Sequence, residues 1–293
     1  MSWLSNGRAL GLASLLAVAG CGFAWGAAPG PAPGNRVVCV SKQINEFVYD
    51  IGAQDHLIAR DLTSIYPPEI KKLPNVGYHR ALSAEGIVSL RPSVLLTDGN
   101  VGPDEVLDRV RSVGIPVVTM EPGDTLESAQ GLMLRLGDYF GRQAAAAKLA
   151  ASWKKAMEQT VRDAPHGPAD RQSKVLIVHF GQIANDYLGV APKGAAEQIL
   201  EWAGGRNALT ATGRMTRLTP EIIAAAQPDV IIATDVGFDR YGSPEKFAAM
   251  PGVNLTPAGK NLRIYRIDET EIMYFSPRTP AAVKKIAHWL RGP

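Results

Sequence analysis

Two segments of the chain match without a gap: LSAEGIVSLRPSVLLTD, beginning at Leu82, and LTPEIIAAAQPDVIIAT, beginning at Leu218. The paired positions include Leu82/Leu218, Ser83/Thr219, Glu85/Glu221, Ile87/Ile223, Pro92/Pro228 and Val94/Val230. Each copy reads as a hydroxyl helix cap, a short helix, a proline turn and an apolar strand, and Pro220 takes the first helical position of the second copy. A unit repeated in this way constrains the chain to two α/β halves built from like parts. The length of 293 residues suits two cores, and 46% hydrophobic with 20% charged residues is a soluble globular make-up.

Around the repeat the pattern alternates. Apolar runs RVVCVS, HLIAR, SVLLTD and IPVVTM are separated by segments with helical spacing such as INEFVYDIG and PDEVLDRVRSVG, which predicts a parallel sheet wrapped by helices over 36–123. Over 124–164 the chain changes character. AAAAKLAASWKKAMEQTV is rich in strong helix formers, with no Gly or Pro from Gln143 to Ala164, so a long helix preceded by a shorter one is expected there. From 165 to 293 the alternation resumes with KVLIVHF, GAAEQILEWAGG, PDVIIATD and LRIYRID, and RTPAAVKKIAHWL closes the chain as a helix. The expected fold is α/β, with two Rossmann-like lobes on parallel sheets joined by a long α-helix.

Residues 1–35 differ from the rest. Arg8 precedes the apolar ALGLASLLAVAGCG, too short to span a bilayer comfortably, and the Pro/Gly-rich AAPGPAPGNR follows, the pattern of an export signal and a flexible leader. VAGC, ending at Cys21, resembles a bacterial lipobox, while AWG at 24–26 offers an ordinary cleavage site; lipoprotein and soluble secreted protein both stay open. Cys39, the other of the two cysteines, reads as an inert thiol in a buried strand. A formal net charge of +3 without a long basic block gives no footprint for nucleic acid. G-x-S-x-G, P-loop and H-E-x-x-H motifs are missing, as is a G-x-G-x-x-G after a strand, so nothing argues for catalysis.

The repeat also isolates two acids. Glu85 and Glu221 stand two residues after the hydroxyl cap, whereas a capping box needs the acid three after it. They are read either as first-turn carboxylates favoured by the helix dipole or as matched docking points, one per lobe.

DLTSIYP, LPNVGYHRALSAEGIVSLRP, LTPAGKNLRIYRID and SPRTPAAV together resemble the periplasmic haem-binding proteins that feed ABC-type haem importers, within the wider helix-linked group that also binds cobalamin and ferric siderophores. The resemblance covers nearly all of Arg36 to Leu290, and Tyr-x-Arg inside LPNVGYHR is its more specific haem mark. It implies a class III periplasmic binding protein: a monomer with a ligand cleft between the lobes, a rigid helical hinge, and Glu85 and Glu221 as salt-bridge partners of a permease dimer that works with its ATPase. It also implies periplasmic localisation, with Cys21 as the point of any lipid anchor.

The chemistry of Tyr78 and Arg80 agrees with that resemblance. Ferric iron favours an anionic oxygen, and a tyrosine phenolate is one of the few protein groups that hold haem iron axially in that state. A free phenol ionises near pH ~10, so the iron and the guanidinium two residues on are its expected supports. Tyr78 is thus the expected ligand of ferric haem and Arg80 its support. His79 departs from the apolar residue expected at its place and, in an extended segment, would face away from Tyr78. His179, at a strand end in KVLIVHF, is a further candidate contact. Tyr66 and Tyr274 are candidates to stack on or edge the macrocycle, and Arg240 to pair a carboxylate of the ligand. His56, His166 and His288 read as surface or helix-face residues, and Met273 as packing. A cobalamin or ferric-siderophore binder is the nearest rival reading, since it shares the lobes and both glutamates without needing Tyr78; a secreted enzyme and a structural lipoprotein rank lower. Little hinge closure is expected on binding, because a continuous linker helix resists bending.

Overall fold

The computed structural model describes residues 36–292, apart from 124, 165–171, 182–184 and 212. The leader with Cys21, and His166, lie outside the described residues. The first sheet holds β1 (Val37–Val40), β2 (Leu57–Arg60), β3 (Val94–Thr97) and β4 (Val117–Thr119) in the order β2-β1-β3-β4, all parallel. Its helices are α1 (Lys42–Asp50), α2 (Ala84–Ser89) and α3 (Asp104–Ser112). β1 and β3 are buried at every position, as continuous apolar runs are when helices cover both faces of a parallel sheet.

Two helices then cross to the second lobe: α4 (Leu126–Tyr139) and α5 (Gln143–Asp163). The 21 residues of α5 span about 30 Å. In the last turn of α4 Gly137 is required, because a Cβ there would lie 2.3 Å from the Ala146 Cβ of α5.

The second sheet is mixed. β5 (Lys174–Gly181), β9 (Val230–Thr234) and β10 (Ile264–Ile267) are parallel neighbours, and the short β7 (Arg206–Asn207) pairs in parallel with the start of β5. On the other side of β5, β6 (Asp186–Val190) and then β8 (Met215–Arg217) add antiparallel strands. The sequence reading of two parallel sheets is therefore corrected in this lobe. These extra strands are short, carry Gly189 and charged residues, and show no apolar alternation. The helices here are α6 (Gly194–Trp202), α7 (Pro220–Ala226), α8 (Asp235–Asp239), α9 (Pro244–Ala248), α10 (Pro257–Lys260), α11 (Glu269–Met273) and α12 (Thr279–Arg291).

The repeat survives into the backbone. Ser83 and Thr219 cap α2 and α7, each accepting from a main-chain N–H three residues on at 3.3 Å. Arg91 and Gln227, matched in the repeat, both adopt the left-handed region, at φ 47° and 44°, and both precede a proline, which disfavours continued right-handed helix. The strand that follows pairs in parallel with the first strand of its own sheet, β3 with β1 and β9 with β5.

One core runs through both lobes. Val37, Cys39, Ile44 and Phe47 of the first lobe join Leu132 and Leu136 of α4, Trp153 and Met157 of α5, and Val175, Ile177, Ile232 and Ile286 of the second in a single buried cluster. Cys39 lies inside it, and burial pushes its thiol well up, away from reactivity.

Candidate functional site

The cleft is built from the carboxyl ends of parallel strands, where open α/β sheets place ligands. Ser41 and Lys42 follow β1, Asp61 follows β2, Asp98 and Asn100 follow β3, His179 lies two residues before the end of β5, Asp235 follows β9, and Asp268 and Glu269 follow β10. Val40, Ser41, Lys42, Asp61, Thr63, His79, Asp98, Asn100 and Tyr274 enclose a space of about 10 Å³, room for about one water.

On the first lobe the site is tied down locally. Ser41 caps α1, accepting from the Ile44 N–H at 3.2 Å while its hydroxyl donates to Asp98 at 2.7 Å. Asp61 is fully buried; its carboxylate accepts from the Thr63 N–H at 2.9 Å and from the Thr63 and Ser64 hydroxyls. The Arg60 guanidinium donates to the carbonyls of Ile70 and Asp61 at 3.2 and 2.9 Å. The strand-like segment before Tyr78 docks beside β2 through Arg60 N–H to Pro74 O and Val76 N–H to Arg60 O. Gly77, at φ +101°, makes a turn into Tyr78 that an L side chain rarely permits.

Tyr78 and His79 lie side by side, ring centroids 4.4 Å apart and tilted 55°. Among the described residues the Tyr78 hydroxyl makes no hydrogen bond, and the residue is half-buried. Arg80 is exposed, its guanidinium donating to Asn100 at 2.6 Å. His79, expected to face away from the cleft, lines the innermost pocket instead. The reason is local: Ala81 N–H donates to Tyr78 O at 2.8 Å, closing a turn, so strand alternation does not apply. Nδ1 of His79 sits 3.5 Å from the Thr63 hydroxyl and 3.9 Å from Asp61. Burial, with help from Lys42, pulls the imidazole below its ordinary value against the opposing pull of Asp61, Asp98 and Glu269.

The second lobe carries His179, Tyr274 and Arg240, of which Tyr274 lines the inner pocket and Arg240 a separate concavity. His179 lies 3.4 Å from the Thr234 hydroxyl, and burial lowers its pKa. The Tyr274 phenol is pushed up to about 12 by burial and by Glu269, and Lys42 sits 5.8 Å from its ring. Arg240 stacks on Phe180 at 4.1 Å and, with Tyr187 and Tyr241, borders an open concavity of about 420 Å³. Tyr66 is 41% exposed and carries the Arg278 guanidinium on its ring at 4.1 Å. Met273 packs on the core, His56 on Phe140, and His288 is exposed on α12.

Sequence reasoning missed the ionic seam between the lobes. Lys42 pairs with Glu269 at 2.7 Å, and Arg278 bonds Glu46 at 2.5 Å, Asp268 at 3.1 Å and Glu271 at 3.3 Å. Burial alone would lower the Lys42 ammonium, but Glu269 outweighs it and the net shift is upward; Glu269 is driven up by burial and, on balance, down by Lys42. Gln43 donates to Phe275 O and Trp153 of α5 to Ser276 O. The available signal was positional, since Lys42 and Glu269 each open a helix just past an apolar strand run.

Glu85 and Glu221 are both exposed, in the first turns of α2 and α7. The Thr219 hydroxyl, then the backbone, holds the Glu221 carboxyl below its ordinary value.

The chain belongs to the periplasmic binding protein family, whose model matches residues 37–271. The periplasmic heme-binding protein RhuT from Roseiflexus sp. RS-1 superposes with a TM-score of 0.78 at 29% identity, over 87% of this chain and 97% of that one. The periplasmic heme-binding protein BhuT, solved with two hemes, gives 0.76 at 30% identity over the same shares. In sequence, the vitamin B12-binding protein of Photorhabdus laumondii is 25% identical over 79% of this chain and 80% of its own.

Proposed function

We propose that this protein is the haem receptor of an ABC-type importer: an exported, monomeric protein that holds ferric haem in its inter-lobe cleft and delivers it to a permease dimer and ATPase. The observation that carries this reading is Tyr78, whose hydroxyl has no partner among the described residues yet sits on a segment fixed by Gly77 and the turn to Ala81. A phenol without an internal hydrogen bond is available to ferric iron, and phenolate oxygen suits that ion. Arg80, anchored on Asn100, supplies positive charge nearby. His79, His179, Tyr66 and Tyr274 are the candidate contacts in this reading, and Arg240 the candidate partner for a carboxylate of the ligand. Kinship with RhuT and BhuT supports haem over other cargo. Delivery uses Glu85 and Glu221 against the permease, and Cys21 is the site of any lipid anchor.

Titration of the purified protein with ferric haem tests the assignment. A Soret band with the charge-transfer bands of high-spin, oxygen-ligated iron is expected, lost in Tyr78→Ala and kept in His79→Ala. The reverse pattern would transfer the ligand role to His79, and an unchanged spectrum would remove haem from the reading. The B12-binding relative makes cobalamin the second reading; tight binding of cyanocobalamin without any response to haem would favour it.

A further inference from the structure

The loop between β3 and α3 is clamped to the segment that carries Tyr78. Gly102 N–H donates to His79 O at 2.9 Å, Leu82 N–H donates to Gly102 O at 3.1 Å, and the Asn100 amide oxygen accepts from the Arg80 guanidinium at 2.6 Å. Asn100 is itself held. Its N–H donates to Asp98 at 2.8 Å, and the other oxygen of that carboxylate accepts at 2.7 Å from Ser41, the cap of α1. Asp98 is thereby committed, and among the described residues Arg80 makes a hydrogen bond to Asn100 and no salt bridge. A guanidinium close to carboxylates ordinarily pairs with one of them. This one takes a neutral amide, so it is anchored while its charge is not cancelled. That charge is felt in the other lobe: burial and, in smaller part, Arg80 lower the His179 imidazole, and burial with Glu269 raises the Tyr274 phenol against an opposing pull from Arg80.

We infer that Asn100 is a positioning residue: its amide oxygen fixes the Arg80 guanidinium at the cleft and leaves the positive charge free to act on the Tyr78 phenolate. This inference rests on the haem reading and adds what holds the supporting charge in place. A loose arginine side chain has ~2 kcal/mol of rotamer entropy to lose, so one already anchored meets the ligand at a smaller ordering cost. A carboxylate at position 100 would hold the guanidinium but neutralise it, and an apolar side chain would leave it charged but loose. The amide avoids both.

The experiment measures ferric haem affinity, the phenolate-to-iron charge-transfer band and, in the unloaded protein, the NMR order of the Arg80 Nε–H group. Arg80→Ala should weaken ferric haem about tenfold and shift the band; Asn100→Ala should do the same by about fivefold, and its Arg80 signal should turn mobile on the ps–ns timescale. Asn100→Asp separates anchoring from charge. Its Arg80 signal stays ordered, yet affinity falls and the band moves in the direction seen for Arg80→Ala. Asn100→Ala combined with Arg80→Ala should bind no more weakly than Arg80→Ala alone. If Asn100→Ala keeps the wild-type band and affinity, or if its loss adds in full to that of Arg80→Ala, the positioning role is overturned while the haem reading stands. A lower unfolding temperature with the band unmoved would likewise reduce Asn100 to a structural residue. Absence of any haem signature in wild type overturns both.

Discussion

The two lobes bring their residues to the cleft by different means. In the first, the site is braced from within: Asp61 by Thr63 and Ser64, Ser41 by Asp98, Arg80 by Asn100. In the second, the segment carrying Glu269, Tyr274 and Arg278 is braced by the other lobe, through Lys42, Gln43 and Glu46 of α1. The second segment also has ties within its own lobe, Arg278 to Asp268 and Glu271, but only there does the inter-lobe seam add to them. The largest buried cluster runs through α4 and α5 and joins the lobes, and little closure on binding is the expected outcome.

The sharpest way to break this asymmetry is Arg278→Ala. It leaves the Glu46 carboxylate, with a side chain only 2% exposed, buried without its partner, and about 3–5 kcal/mol of stability should be lost. Arg80→Ala, which removes an exposed guanidinium, should cost under about 1 kcal/mol. Denaturant titration of the two variants checks both; equal losses would mean the lobes are braced alike.

Ligand affinity should divide the same way. Tyr78→Ala is expected to weaken ferric haem on the order of a hundredfold, about 2.7 kcal/mol, and His179→Ala by less than about tenfold. Comparable losses from both would move the principal ligand toward the second lobe.

A double-mutant cycle on Lys42→Met and Glu269→Gln should show a coupling of about 1–3 kcal/mol in thermal or chemical unfolding. The pair also predicts a pH window. Glu269 is held below its ordinary 4.5, so its contribution is present above that value and is lost as pH falls through the depressed one. Lys42 is held above its ordinary 10.5, so its contribution is present below that value and is lost only as pH rises beyond it. Stability should therefore fall on the acid side below about 4.5, and Lys42→Met should flatten that limb. An unaltered acid limb would show that the pair does not couple the lobes.

The smallest effect on binding belongs to the helix-start acids. Glu85→Arg with Glu221→Arg should leave haem affinity within about twofold, because exposed charges contribute little to a buried site, while haem uptake through the permease collapses. Uptake at the wild-type rate would remove both acids from the docking role.

Much of the fold was legible along the chain. Caps, proline turns and continuous apolar runs located β1, β3, β5 and β9, the helices of the repeat and the long α5, because these elements are specified by residues within a few positions of one another. The antiparallel β6 and β8 were not, since short strands with Gly189 and charged residues carry no pattern that separates them from loop. Of the candidates named from sequence, Tyr274 lines the innermost pocket; the inward placement of His79 was not legible, because a turn at Tyr78 replaced the extended backbone on which alternation depends.

The sequence by itself determined the repeated helix–strand unit, its caps, its proline turns, and the Tyr-x-Arg that follows Gly77. Only the tertiary structure decided which charges meet across the cleft. Lys42 and Glu269 stand 227 residues apart; each is set locally at the start of a helix, but their contact depends on how two sheets and two linking helices pack into one core, which no local run of residues encodes.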